Sequence, residues 1–236
     1  MVAHMSLILH YAPDNASLIV RRALEEAGLP YRTVLVDRAS RAQDSAAYRA
    51  LNPAGLIPAL ETAQGPIFET AAILLWLSGM APRLAPAGGT AERASVLKWL
   101  IFTSNTLHAG LRMTFYPEKY TGPDAQARAA LRTTVQARLA RDLAMLDDAY
   151  PTDAAFFTGN APCVLDLYLG PLLRWCALYP EGASDWFDLT RYARLARMTR
   201  ALEQRPATHA AQAAEGLGPT PFSAPNFANP PEGSAT

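Results

Sequence analysis

Residues 52–70 read NPAGLIPALETAQGPIFET, from Asn52 to Thr70. Ile57, Pro58, Ala59 and Leu60 form a short apolar run of strand length, and Pro58 sits at its mouth because proline cannot donate a ladder hydrogen bond. An X-Pro bond placed there is a candidate for the cis form, which would turn the main chain of Ile57 away from the sheet and leave it open to an extended peptide ligand. Taken alone, an X-Pro is more often a loop proline that ends a strand. Gly65 and Pro66 mark a tight turn into Ile67 and Phe68, so the segment reads as a β-hairpin. It closes on Glu69 and Thr70, where the second strand hands over to an apolar helix beginning Thr70, Ala71, Ala72, Ile73, Leu74. Orphan amides, a hydroxyl and the positive helix end suit a carboxylate there, while Glu69 suits an ammonium, so the pair could read an amino-acid end group. Glu-Thr ahead of a helix also fits a plain cap.

Upstream, Leu7, Ile8, Leu9 and Tyr11 form a brief apolar run ended by Pro13 and Asp14, a buried strand and a turn. Ala16 to Ala27 has helical spacing with Gly28, Leu29 and Pro30 as its stop, and Arg32 to Val36 makes a second strand, parallel to the first across a right-handed crossover. Adding a short helix before the hairpin, the expected order is βαβαββα. Pro82, Pro86, Gly88 and Gly89 then interrupt the chain, and everything beyond is helical. Ala125 to Ala149 has the clearest amphipathic spacing; Val164 to Tyr179 is apolar almost all round, which predicts a central buried helix with a kink or break at Pro171. The domains are expected at 1–80, with a linker at 81–90, an all-helical domain at 91–210 and an irregular, draped or disordered tail at 211–236.

Composition excludes several classes of function. Of 236 residues, 50% are hydrophobic and 18% charged, and 21 basic side chains balance 21 acidic ones. With a pI near 6.9 there is no field to gather nucleic acid or an anionic membrane. The longest uncharged apolar stretch, Thr70 to Pro82, falls short of the ~18–20 residues a bilayer span needs. Met1 to Ser6 lacks a basic region and an apolar core, so no secretory signal is read and a cytoplasmic location is expected; Met1 to His4, ahead of Met5, fit either an expression-vector remnant or an alternative start. His4, His10, His108 and His209 form no ligand spacing, so no metal is expected; Cys163 and Cys176 are read as reduced, buried thiols too far apart along one helix to bridge.

Taken together, Tyr11, Pro13, Asn52-Pro53, Gly55, Ile57-Pro58 and Glu69-Thr70 resemble the cytosolic glutathione S-transferase superfamily, over nearly the whole chain to about residue 210. The resemblance implies a thioredoxin-like domain followed by an all-helical one. It also implies that Ile57 and Pro58 hold the cysteinyl main chain of glutathione, that Glu69 and Thr70 hold its γ-glutamyl end, and that the protein is a homodimer. The pattern is similar to the bacterial beta class, except that Ala16 stands at the apparent position of that class's cysteine, so a mixed disulfide there is excluded. Asn15 and Ser17 are then the candidates to donate to the glutathione sulfur at the first helix's N-terminus, or else are caps. His108 resembles a beta-class histidine that faces the active site, while Ala109 and Ile101 depart from that pattern. Tyr11, Phe102, Tyr116 and Trp175 are candidate walls of the pocket for a small hydrophobic electrophile, or core residues. Cys163 and Asp166 resemble the family's helix-capping motif, with a thiol where a hydroxyl belongs.

The implied activity is transfer of the glutathione thiolate to a small electrophile, in the manner of a detoxification enzyme, with glutathione as co-substrate and no other cofactor. A non-catalytic binding protein of the same fold, and a glutathione-dependent reductase, isomerase or dehalogenase, are the alternatives.

Overall fold

The computed structural model describes residues 7–235; the readings of the amino terminus, including His4 and Met5, lie outside them. The chain forms two compact units. The first runs through Ala85 and takes in Glu203–Pro221 and the chain from Asn226 onward; the second comprises Pro86–Leu202 with Phe222–Pro225.

The first unit holds β1 (Leu7–Tyr11), α1 (Ser17–Ala27), β2 (Tyr31–Leu35), α2 (Ala46–Leu51), β3 (Ala59–Thr62), β4 (Gly65–Phe68) and α3 (Thr70–Met80). This is the βαβαββα order expected from the sequence. The sheet order is β2-β1-β3-β4, with β2 parallel to β1 and the other neighbours antiparallel. Alternate residues of β1 serve opposite layers. His10 meets the Tyr48 ring of α2 edge-on at 5.9 Å, while the Arg21 guanidinium of α1 lies 4.6 Å from the Tyr11 ring centre on the other face. Gly28 ends α1 in the left-handed conformation, its N–H returned to the carbonyls of Leu24 and Glu25. In the hairpin, the Thr62 hydroxyl donates to Gly65 O at 2.7 Å across the turn.

The last helix of the chain also belongs to this unit. The sequence placed residues up to 210 in the all-helical domain, whereas Pro206–Glu215 forms a helix of the first unit, where Ala211 and Leu217 pack with Leu18 of α1. The tail beyond it is draped. Ala228 packs against the same cluster, Asn229 N–H donates to Gly216 O at 2.9 Å, and Gly233 lies against Leu35 and Pro13. A side chain at Gly216 would force the tail to shift: φ is +62° and a Cβ would fall 1.9 Å from the Asn229 carbonyl oxygen.

The second unit holds α4 (Ala91–Phe102), capped by Thr90; α5 (Ala109–Phe115); α6 (Glu118–Thr121); α7 (Ala125–Ala149); α8 (Val164–Leu178); and α9 (Ala193–Glu203), whose last residue counts with the first unit. The helix Pro206–Glu215 completes the numbering as α10. A π-helical turn, Thr103–His108, joins α4 to α5. Buried Val135, Leu139, Leu143 and Leu146 bear out the spacing read along α7. In α8 every residue except Ala177 is buried, and the helix continues through Pro171. Of the kink or break expected there, no break occurs; packing around the whole circumference holds the helix across the one missing N–H. Asp166 accepts from Cys163 N–H at 2.8 Å, Phe157 N–H at 3.0 Å and Tyr150 OH at 3.0 Å, so the motif is a structural cap. None of the described helices is long and apolar enough to cross a membrane.

Candidate active site

Three chain segments meet at one end of the first unit's sheet. Because β3 runs antiparallel to both β1 and β4, the carboxyl end of β1, the amino end of β3 and the carboxyl end of β4 coincide, with His10 opposite Ala59 and Ala59 opposite Phe68. From that end leave the turn 12–16, the Ile57-Pro58 dipeptide and the Glu69-Thr70 pair. Five sequence-predicted residues, Asn15, Ile57, Pro58, Glu69 and Thr70, are thereby gathered at one end of the sheet.

The β1–α1 turn is tightly specified. The Ser17 hydroxyl donates to Ala12 O at 3.0 Å and receives Ala12 N–H at 3.2 Å, and Ser17 is fully buried. Its single proton is therefore spent within the turn. Asn15 is half-buried; its Oδ1 accepts from Ala16 N–H at 2.7 Å, which fixes the orientation of the carboxamide and leaves its NH2 group without a partner among the described residues. Tyr11 is buried, donates to Glu232 of the tail, and has its phenol pushed up to about 12 by burial and then by that carboxylate. It stands behind the turn as a packed residue.

The Ile57–Pro58 bond is cis. The β1–β3 ladder ends at the His10–Ala59 pair, so Ile57 lies beyond the paired residues, packed against the cluster that Val36, Tyr48 and Ala59 form. The Tyr48 hydroxyl and the Asn52 amide both donate to Leu56 O at 2.7 Å, which anchors the approach to this dipeptide. At the other segment, Glu69 occupies the position before α3 with φ +69° and ψ 112°, and makes no side-chain cap. Its exposed carboxylate and the Thr70 hydroxyl have no hydrogen-bonding partner among the described residues. Plain capping thus does not account for Glu69, and a non-glycine residue held at positive φ is the kind of outlier that functional sites carry.

The remaining candidates belong to the second unit. His108 closes the π-helical turn. Its ring is packed against Tyr168 and Trp175, both at 5.7 Å between centres, with Nδ1 2.9 Å from the Tyr168 hydroxyl. Burial, with Arg112 adding, lowers its pKa to about 4, so the imidazole is neutral near pH 7. Trp175 is thus next to His108. Phe102 stacks edge-on with Trp99, and Tyr116 pairs with Phe115 and lies under Lys119, so these two join other aromatic groups. Cys163 and Cys176 are free and buried, both thiols pushed up by burial, which makes them poor nucleophiles. Among the described residues no group of three or more His, Cys, Asp or Glu could hold a metal ion.

The family model of the glutathione S-transferase N-terminal domain matches residues 16–79, the stretch that contains Ile57-Pro58 and Glu69-Thr70. A glutathione S-transferase, GST-4.5, from Xanthomonas campestris pv. campestris is 31% identical over 71% of this chain and 81% of its own length. The chain belongs to the glutathione S-transferase superfamily. A sphingomonad glutathione S-transferase solved in complex with glutathione agrees: it is 32% identical, superposes with a TM-score of 0.72, and is covered over 100% of its chain and 89% of this one. A maleylacetoacetate isomerase from Rhizobium meliloti (strain 1021) is 28% identical over 72% of this chain and 81% of its own length.

Within this glutathione S-transferase fold, the residues that sequence reading missed come from the far end of the chain. Glu215 of α10 accepts the N–H of Asp14 at 2.9 Å and pairs with Arg21 at 2.7 Å, and Glu232 meets Tyr11. Neither glutamate lies in a motif, and nothing in its local spacing marks it.

Proposed function

We propose that the chain binds glutathione against the main chain of Ile57, receives its γ-glutamyl end at Glu69 and Thr70, stabilises its thiolate at the start of α1, and transfers that thiolate to a small electrophile. The observation that carries the reading is the carboxylate of Glu69 and the hydroxyl of Thr70, unpartnered among the described residues at the N-terminus of α3, beside a strand whose ladder stops short of Ile57. Glutathione offers the matching groups: an α-ammonium for Glu69, an α-carboxylate for Thr70 and the first amides of α3, and a peptide edge for Ile57.

Asn15 is the donor we assign to the sulfur, since its NH2 group has no partner among the described residues while the Ser17 proton is held by Ala12. A neutral amide and the positive end of α1 favour thiolate over thiol without a protein nucleophile. In the transfer step the thiol proton leaves to water, sulfur forms the bond to the electrophilic carbon, and the leaving group departs with the electron pair. Glutathione is consumed as co-substrate, and no other cofactor takes part in the proposed step. A homodimer is part of the proposal, to be checked by light scattering.

Immobilised glutathione is expected to retain the protein, and Glu69→Ala combined with Thr70→Ala is expected to abolish retention. Equal retention of parent and double variant would remove the γ-glutamyl assignment. The isomerase relative favours a second reading, in which the thiolate adds to a double bond, rotation follows, and the thiolate is expelled again. Counting glutathione separates the two, because transfer consumes one equivalent per turnover and isomerisation none.

A further inference from the structure

We infer that Glu215, the last residue of α10, is a positioning residue of the β1–α1 turn, holding Asn15 where its amide can meet the glutathione sulfur; the inference rests on the function proposed above. Asp14, the residue before Asn15, is 1% exposed and sits at φ +50°, a conformation that a non-glycine residue adopts at a cost. Its N–H is held by Glu215 Oε2 at 2.9 Å. The N–H on the other side of Asn15, that of Ala16, is held by the asparagine's own Oδ1 at 2.7 Å. Asn15 is therefore pinned from both directions, once by itself and once by Glu215.

The placement of Glu215 has little to recommend it for stability. The side chain is fully buried, it stands in the last turn of a helix where the dipole disfavours a negative charge, and its ion pair with Arg21 Nε at 2.7 Å is buried too. Burying such a pair is often neutral or costly compared with an apolar replacement. What it achieves is directional: one carboxylate joins the turn, through Asp14, to the body of α1, through Arg21. The charged and titratable groups around it are Arg21, Asp14 and Tyr11; beyond them Tyr31, which donates to Glu25, adjoins Arg21, and Glu232 accepts from Tyr11. Burial raises the Glu215 pKa to about 7, against the opposing pull of Arg21 and the Asp14 amide.

The experiment compares the full chain with Glu215→Gln, Glu215→Asp, Asn15→Ala and the double variant Glu215→Gln/Asn15→Ala. Affinity for glutathione is read by calorimetry, ionisation of the bound thiol by ultraviolet absorbance against pH, and turnover with an aryl halide. Glu215→Gln is expected to lower kcat about tenfold and to raise the pH at which the bound thiol ionises, while glutathione affinity, read at a pH below that ionisation, changes less than about twofold, because the Glu69 and Ile57 contacts are untouched. Glu215→Asp keeps the charge but cannot reach both partners; it is expected to fall between, and it serves if the glutamine variant does not fold. Adding Glu215→Gln to Asn15→Ala is expected to cost nothing more, since the effect runs through Asn15. Unchanged kcat and thiol ionisation in both Glu215 variants, or full additivity with Asn15→Ala, would overturn the inference while leaving glutathione binding intact. A parent chain that binds no glutathione would instead overturn the proposed function, and this inference with it.

Discussion

Tyr11 at the end of the first strand donates its hydroxyl to Glu232 near the carboxyl terminus. The two ends of the described chain are thereby joined beside the turn that carries Asn15, with Gly233 resting on Pro13 and Leu35. The strap is held by Ala228 in the Leu18 cluster and by the hydrogen bond from Asn229 to Gly216.

Gly216→Ala tests that strap without deleting it. The methyl group would meet the Asn229 carbonyl oxygen at 1.9 Å, and φ is +62°. We expect a loss of about 2 kcal/mol in stability. Hydrogen exchange should quicken across 226–235 more than in the sheet. An unchanged exchange pattern would show that the strap is not fastened at Gly216.

Removing Asp166 should damage the second unit. Asp166→Ala leaves Cys163 N–H, Phe157 N–H and the Tyr150 hydroxyl without their acceptor in a fully buried site. Denaturant unfolding should report a loss of about 3 kcal/mol or more. Cys163→Ser supplies a better hydroxyl cap and is expected to be neutral or stabilising, because the thiol is a weak acceptor.

His108 makes stability depend on pH in the acid range. Burial lowers its pKa to about 4 from the model-compound value of 6.5, so between these the unfolded chain binds the proton and the folded one does not. Stability therefore rises with pH across this window and is lost as pH falls through it. Thermal unfolding of His108→Gln should show a shallower decline between pH 6.5 and 4 than the parent. Equal slopes would mean that the ring is not kept neutral by its surroundings.

Glu215 has the opposite sign. Its pKa is raised from 4.5 to about 7, so within that window the folded state holds a proton that the unfolded state has released. Its contribution is fully present below the lower value and is lost as pH rises through the upper one. Replacing it with Gln should flatten the parent's decline in stability between pH 4.5 and 7, measured as Tm against pH. A decline unchanged by the substitution would assign it to other groups.

The order of strands and helices was legible in the amino acids because its causes are local. Apolar period, the glycine after α1, the proline at the mouth of β3 and the Gly65-Pro66 turn each act over a few residues, and the convergence of Asn15, Ile57 and Glu69 follows once those strands pair. The membership of α10, the positive φ of Glu69, the use of the Ser17 proton within its own turn, and the arrival of Glu215 and Glu232 at that turn became visible only in the folded chain. A hydrogen bond that spans 201 residues depends on where the backbone has been carried by packing, and no spacing along the chain encodes it. The unbroken course of α8 through Pro171 has the same origin: the local cost of a proline is real, and burial on all sides outweighs it.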